Sequence, residues 1–245
     1  MPVAAADLIA FASLNMPADD TSTSGGGIDL DRRVVFTDLA ANDDVEAVSS
    51  AAGDTTQTVT IVARKADGSS VTEAKLLTGT TAVIFAVNGI VERIQSVSMD
   101  LDAVGTVTIR RSVAGPTIGT IPPGERGFMR LFRNAASEVG ATERYEKFFW
   151  KNTHATLALL SALVKQNADP TAKITHALAA AKDDAVSVAN RKTSPGLTFN
   201  DTDKAVPGTD LGAGVAIGVW LNLSLIANDS PIKNTYTSEI SGNSA

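Results

Sequence analysis

TQTVTIVARKADGSSVTEAKLL, residues 56–77, carries the clearest structural signal in the chain. Apolar and polar residues alternate on both sides of Asp67-Gly68, a pair that is typical of tight hairpin turns. A two-residue loop at this pair would place Val59 opposite Leu76 and Ile61 opposite Ala74. One face of the hairpin would then be mostly apolar, so the stretch predicts an antiparallel hairpin covered on one side.

Similar alternation recurs along the chain, with turn residues between the repeats. It predicts strands in GTVTIRR (105–111), on both sides of Pro-Pro-Gly in PTIGTIPPGERGFMRLF (116–132), and in GVAIGVWLNLSLI (214–226). AKITHALAAAKDDAVSVANR (172–191) is consistent with a hairpin that turns at Asp183-Asp184, although its alanines also permit a short helix. Short strands separated by Gly, Pro and Asp turns predict an all-β fold: an antiparallel sandwich, a jelly roll or a barrel.

Composition divides the predicted fold into four parts. Residues 1–35 contain the small, Gly-rich stretch PADDTSTSGGGIDLD and are expected to form an extended N-terminal arm or linker. Residues 36–191 are expected to form the main antiparallel β domain. Residues 192–212 contain Pro195 and Pro207 and predict a long loop, and residues 213–245 predict a closing strand with a tail that packs on the β domain.

The chain is acidic, with a net charge of −6 and a pI near 4.9, which argues against nucleic acid as a partner. Its charge is unevenly spread, since residues 1–54 carry ten acidic and two basic side chains, whereas residues 105–151 carry four and eight. This split is consistent with complementary subunit surfaces or simply with two solvated surfaces.

The absence of cysteine excludes a disulfide framework and thiolate metal ligands. The N-terminus lacks the basic region of a signal peptide, and the longest apolar run, residues 155–164, is about half the length of a membrane span. We therefore expect synthesis in a cytoplasm and no membrane partner.

No motif predicts catalysis, a cofactor or a metal. His154 and His176 are the only histidines, and their spacing fits neither a zinc site nor a catalytic triad. GAGVAIG (212–218) has the wrong glycine spacing for a dinucleotide site and precedes a strand. Paired acids such as those of NDTD (200–203) do not match a calcium loop, although weak calcium binding there stays open.

YEKFFWKNTH (145–154) concentrates four of the chain's twelve aromatic residues. Aromatic residues on both faces of a strand predict burial in a core or at a subunit interface, and the apolar run that follows favours assembly. The alternative is a sugar-stacking platform formed by Tyr145, Phe149 and Trp150. The predicted assembly interface consists of Leu8, Ile9, Phe11, Leu14, Tyr145, Phe148, Phe149, Trp150, Leu157, Leu159 and Leu160.

An ordered series of motifs resembles a family of virion structural proteins from tailed bacteriophages. The series is NMPADDTSTSGGGIDLDRRVVFTDLAANDDVEAVSSAAGDTTQTVTI (15–61), LTGTTAV (77–83), GTVTIRRS (105–112), IGTIPPGERGFMRLF (118–132), RYEKFFWKNTHATLAL (144–159), NADPTAKITHALAAAKDD (167–184) and GAGVAIGVWL (212–221). It covers most of the chain, and the order of the motifs rather than any single one carries the resemblance.

The resemblance implies a non-enzymatic, β-strand protein of the virion, associated with the head. A capsid decoration or cement protein on the capsid surface fits it best, with sister copies (a homotrimer or another small homo-oligomer) and the major capsid protein or other virion proteins as partners. The alternatives are a tail or head–tail connector component, or a glycan- or receptor-binding spike module. No cofactor and no functional residue comes with the resemblance.

Overall fold

The computed structural model describes residues 2–86, 89–229 and 235–244, and β-strands dominate it. One three-residue 3-10 helix, Ala5–Asp7, precedes the first strand. The described residues contain no helix that is long and apolar enough to cross a membrane. The prediction of an all-β fold is confirmed. The strands are β1 Leu8–Asn15, β2 Ser24–Val34, β3 Val45–Ser49, β4 Thr58–Arg64, β5 Ser70–Leu76, β6 Val83–Phe85, β7 Arg93–Met99, β8 Val107–Arg111, β9 Thr117–Ile121, β10 Gly127–Met129, β11 Thr142–Asn152, β12 Leu159–Ala168, β13 Ile174–Lys182, β14 Ser187–Val188, β15 Lys204–Ala205, β16 Ala216–Leu225 and β17 Thr237–Ser244.

The chain divides into two compact units. Unit 1 contains residues 1–29 and 131–245, and unit 2 contains residues 30–130, so β2 begins in one unit and ends in the other. These bounds differ from the predicted division at residues 35, 191 and 212. The segment expected as an arm contributes β1 and part of β2 to unit 1, and the segment expected as a long loop contains β15.

Unit 2 is built from two sheets that share one apolar core. The first sheet has the strand order β2-β10-β7-β4-β5, to which β2 contributes only its last residues. The second sheet has the order β6-β3-β8-β9. Eighteen buried apolar residues from both sheets form a single cluster, with Ile61 and Val97 on one side and Ile109 on the other. Most of the neighbouring strands are antiparallel, while β10 runs parallel to β2.

The hairpin of β4 and β5 forms, but its register differs by one residue from the predicted one. Val59 lies opposite Lys75 and Ile61 lies opposite Glu73. The loop has three residues rather than two, because Lys65 N–H donates to Ser69 O and Gly68 adopts a positive φ of +85°. The outer strand is consequently turned over, and Leu76 is exposed instead of buried.

Unit 1 also contains two sheets. The larger has the order β13-β16-β11-β1-β2, with β14 paired to β2, and the smaller has the order β15-β12-β17. β16 lies between β13 and β11, and its first six residues are all buried. The predicted strands on either side of Asp183-Asp184 exist, but they do not form a hairpin: β14 pairs with β2 over Ser187 and Val188.

The glycine run of residues 25–27 is a packed strand and not a flexible linker. Gly25 and Gly26 have φ values of +93° and +88°, which L-amino acids with side chains rarely adopt. A Cβ atom on Gly25 would lie 2.6 Å from the ring of Trp220, and one on Gly26 would lie 2.8 Å from the amide nitrogen of Asn15. Glycine is required here because other parts of unit 1 approach the backbone closely.

Candidate functional site

The histidines have structural surroundings. His154 Nδ1 accepts hydrogen bonds from the backbone N–H groups of Thr156 (3.2 Å) and Leu157 (3.0 Å), so its ring holds a turn. His176 on β13 is fully buried, and burial together with the nearby charge of Lys204 lowers its pKa to about 4. Across residues 2–86, 89–229 and 235–244, no group of three or more His, Cys, Asp or Glu side chains is placed to hold a metal ion.

In the acidic stretch of residues 200–203, the side-chain oxygen of Asn200 is used within the chain. Asn200 Oδ1 accepts hydrogen bonds from Thr202 N–H (3.2 Å) and Thr202 Oγ1 (2.7 Å), and also from the ammonium group of Lys204. Backbone hydrogen bonds join Asn200 to His176 in both directions. These contacts fold the stretch onto β13.

The predicted assembly residues lie in three environments. Phe11, Phe148, Phe149 and Leu159 are buried in unit 1 itself. Leu14 is 58% exposed. The remaining six, namely Leu8, Ile9, Tyr145, Trp150, Leu157 and Leu160, are half-buried. Phe148 and Phe149 belong to the core of one chain, because β11 is flanked by β1 and β16 and both of its faces are covered.

The predicted sugar-stacking plane is not formed. Phe149 is completely buried, and Trp150 points to the opposite face of β11, where its Nε1 donates to Ser238 Oγ at 3.1 Å. Tyr145 is half-buried and packs instead against Phe199, with ring centroids 5.3 Å apart. Three rings in one exposed plane, which a glycan platform would require, are therefore absent at these positions.

Unit 1 contains a fully buried lysine, Lys147. The ammonium group of Lys147 on β11 lies 2.5 Å from Asp184 Oδ2 and donates to the backbone oxygens of Gly26 and Asp184, each at 3.0 Å, and of Val186 at 3.2 Å. We call this arrangement the lysine cage. Burial lowers the pKa of Lys147, and the hydrogen bond and charge of Asp184 oppose that shift.

Aromatic and glycine residues complete the lysine cage. The ammonium nitrogen lies 4.8 Å from the ring centroid of Phe149 and 5.5 Å from that of Trp220. A Cβ atom on Gly218 would lie 2.7 Å from Lys147 Cε, so β16 needs glycine beside the lysine stem. The cage joins β11 to the glycine run of β2 and to residues 184–186.

A second buried group, the arginine cluster, consists of Arg144, Arg191, Glu146 and Asp20. Arg144 binds Asp20 through two nitrogens at 2.8 Å each, and Arg191 also donates to Asp20. Glu146 accepts from Arg191 at 3.2 Å and from Phe132 N–H at 2.6 Å. The side chains of Arg144, Arg191 and Glu146 are at most 2% exposed.

The pKa values of the two acids in the arginine cluster are shifted in opposite directions, by different causes. Hydrogen bonds and charge from the two arginines hold the pKa of Asp20 well below its usual range. Burial raises the pKa of Glu146 to about 7, although Arg191 opposes this shift. Because Asp20 and Arg191 are far apart in sequence, the cluster connects the beginning of the chain to its last third.

Sequence reasoning did not find either group. The only sign of them in the sequence is RYEKFFW (144–150), where an arginine and a lysine lie within a strongly aromatic strand. Both groups bind one part of unit 1 to another through hydrogen bonds to the protein's own carboxylates and carbonyls. This chemistry stabilises a particular arrangement of strands.

No protein-family model, no curated protein and no solved structure matches this chain.

Proposed function

We propose that this chain is a non-enzymatic structural protein of a tailed-bacteriophage virion, and that it acts as a capsid decoration or cement protein. The observation that carries the proposal is the ordered motif series described above, which extends from Asn15 to Leu221. Five strands, β2, β3, β8, β10 and β13, lie entirely within those motifs.

The internal use of charge supports a structural role. In unit 2, cations are paired with neighbouring carboxylates, as in Arg33–Glu125 at 2.6 Å and Arg93–Asp38 at 2.5 Å. In unit 1, the lysine cage and the arginine cluster do the same in the interior. Ion pairs of this kind fix the register of strands, and a cement protein needs a fixed shape to cover the joints between shell subunits.

Such a protein would bind firmly to the capsid because many copies bind to it at once. Each contact with the shell can be weak, because several contacts per copy and many copies per particle raise the overall affinity by avidity. A tail or head–tail connector component would use the same physical properties, and it is the alternative within the proposed class.

Binding to capsids tests the proposal. Purified protein is mixed with expanded capsids that lack it, the particles are sedimented, and bound particles are imaged. We expect saturable binding at symmetry-related positions on the head. Binding confined to the tail or connector would favour the alternative, and a chain that stays in the supernatant at all concentrations would overturn the assignment to the head.

A further inference from the structure

We propose that the outward face of β4, β5 and β7 in unit 2 is a surface on which a second copy of this chain docks. We call this surface the hydroxyl face. It consists of Thr58, Thr60, Val62, Thr72, Ala74, Leu76, Ser96 and Ser98. This inference is independent of the assignment to a virion.

Strand register places these side chains in rows. Thr60 lies opposite Ala74 on β5 and opposite Ser98 on β7. Val62 lies in the same way between Thr72 and Ser96. The residues that alternate with them, such as Val59, Ile61 and Val97, are buried in the core of unit 2. The hydroxyl face therefore points away from that core.

The composition of the hydroxyl face is unusual for this chain. None of its eight side chains is ionisable, and at the β4 C-terminal end of the same side the next row contains Arg64 and Arg93. Charged residues make up 20% of the sequence and would be enriched on an ordinary surface. All of the side chains except Leu76 are small, so the face is flat. Leu76 adds an apolar contact and is 53% exposed. An uncharged, flat sheet face can be stacked upon without desolvating charges.

The free edge of the same sheet is less suited to association. β5 is the last strand of its sheet, and Glu73 and Lys75 point inward from it. Lys75 Nζ lies 3.0 Å from Glu73 Oε1 and donates to Ile84 O at 2.6 Å. Inward-pointing charges on an edge strand disfavour the addition of a further strand. A second copy is therefore expected to bind to the hydroxyl face and not to the free edge of the sheet.

Charge at the two ends of the face identifies the occupant as a second copy. Arg64 ends β4 at one end, and Asp100 lies beside Thr58 at the other, where Asp100 Oδ1 accepts Thr58 N–H at 2.7 Å. A two-fold axis that stacks two such faces with antiparallel strands brings each Arg64 over the Asp100 end of its partner. Arg64 already pairs with Glu92 at 3.3 Å, and a guanidinium has five N–H donors, so it can bind a further carboxylate.

The area of the face predicts a weak dimer. Three strands about 4.8 Å apart and about seven residues long cover roughly 330 Å² of sheet. This is less than half of the ~800 Å² per partner that a stable interface usually buries. Two copies would therefore associate reversibly in solution, and the contact would become effective where other contacts hold the copies close together.

The first experiment places a positive charge at the centre of the face. Thr60→Lys brings like charges together in the dimer. Thr117→Lys on β9, which is exposed and belongs to the other sheet of unit 2, is the matched control. Sedimentation equilibrium up to about 1 mM protein measures the dimer Kd. We expect at least a tenfold increase for Thr60→Lys, about 1.4 kcal/mol, and a Kd within about twofold of wild type for the control.

The second experiment exchanges the end charges. Arg64→Glu and Asp100→Lys should each weaken the dimer, and the double variant should regain affinity because the pairing is restored with opposite sign. Thermal unfolding of each variant confirms that the fold is intact. A wild-type chain that stays monomeric at about 1 mM, or equal Kd values for the two lysine variants, would overturn the proposal. The proposal would also be overturned if the chain is monomeric and Thr60→Lys abolishes its binding to another virion protein, because the face would then bind that protein and not a second copy.

Discussion

Both units have a core formed by β-strands, but the side chains buried in the two cores differ in chemistry. Unit 2 surrounds eighteen buried apolar residues and keeps most of its ion pairs near the surface, as in Arg64–Glu92, whose side chains are 26% and 21% exposed. Unit 1 buries Arg144, Lys147 and Arg191 almost completely. This difference in buried charge corresponds to a difference in how the chain forms each unit. Unit 2 is one continuous stretch, whereas unit 1 is assembled from two stretches separated by a hundred residues.

The comparison suggests what buried charge contributes. Apolar packing favours burial without strongly specifying which segment meets which, whereas ion pairs and hydrogen bonds are directional. In unit 1 the lysine cage and the arginine cluster both join segments from the two separate stretches, through Gly26 in one case and Asp20 in the other. We infer that these groups select the correct pairing of segments as much as they add stability.

The largest expected effect is that of Lys147→Ala. It removes the cation that pairs with the Asp184 carboxylate and donates to the backbone oxygens of Gly26 and Asp184, so the free energy of unfolding of unit 1 should fall by about 3–5 kcal/mol. Both tryptophans, Trp150 and Trp220, lie in unit 1, so urea unfolding followed by tryptophan fluorescence reports on this unit. Arg126→Ala, which breaks an exposed pair with Asp102 in unit 2, should leave the fluorescence transition unchanged. Equal responses to the two variants would contradict the comparison.

Ile109→Ala tests the apolar core of unit 2. Ile109 is completely buried, and its truncation leaves a cavity that should lower the free energy of unfolding by about 2–5 kcal/mol. Circular dichroism should detect the loss, and the tryptophan transition of unit 1 should shift less. Ile109→Val is the matched control, with an expected loss of about 0.5–1.5 kcal/mol. A larger shift in fluorescence than in circular dichroism would show that the two cores do not respond separately.

His176 should make the stability of unit 1 depend on pH. Its pKa in the folded chain is about 4, below the ordinary value of 6.5, so the unfolded chain binds a proton more readily between these values. Stability should therefore fall as the pH decreases from about 6.5 to about 4. The raised pKa of Glu146 acts in the opposite direction between about pH 7 and 4.5.

A matched variant separates the two titrations. His176→Leu removes only the histidine contribution, so the difference between wild type and variant in unfolding free energy should change across pH 6.5 to 4. Denaturant unfolding at closely spaced pH values measures this difference. A constant difference over the whole range would show that His176 does not titrate in the way its burial implies.

The smallest expected effect lies in the hairpin of unit 2. Gly68→Ala must hold alanine at a φ near +85°, which should destabilise the unit by about 1 kcal/mol, although nothing lies within 4 Å of the added methyl group. Gly53→Ala meets the same open space without a positive φ and should have little effect. Chemical unfolding followed by circular dichroism compares the two, and similar losses for both would argue against the three-residue loop.

Local patterns in the sequence predict the strands well but not their partners. The alternation of residues 214–226 corresponds to β16, and Pro-Pro-Gly does separate β9 from β10. Those two strands nevertheless enter different sheets, since β9 pairs with β8 and β10 pairs with β2 and β7. Pairing depends on contacts between distant residues, which periodicity does not encode.

The hairpin and the glycine run show the same limit at closer range. One additional loop residue at Ala66 to Gly68 was enough to exchange the two faces of β5. Gly25 and Gly26 resemble a linker by composition, and only the positions of Trp220 and Asn15 in the fold show why they must be glycine. The buried cations were equally hidden, because the carboxylate that makes Arg191 tolerable in the interior is Asp20, near the other end of the chain.

The pairing of β2 with β10 indicates where the chain can be altered by engineering. The chain enters unit 2 along the end of β2 and leaves it along β10, and these two strands are hydrogen-bonded neighbours. Residues 30–130 thus form a self-contained insertion with adjacent entry and exit points. A foreign domain whose termini are similarly close could be exchanged for them, which makes this position a natural site for grafting cargo onto the remaining scaffold.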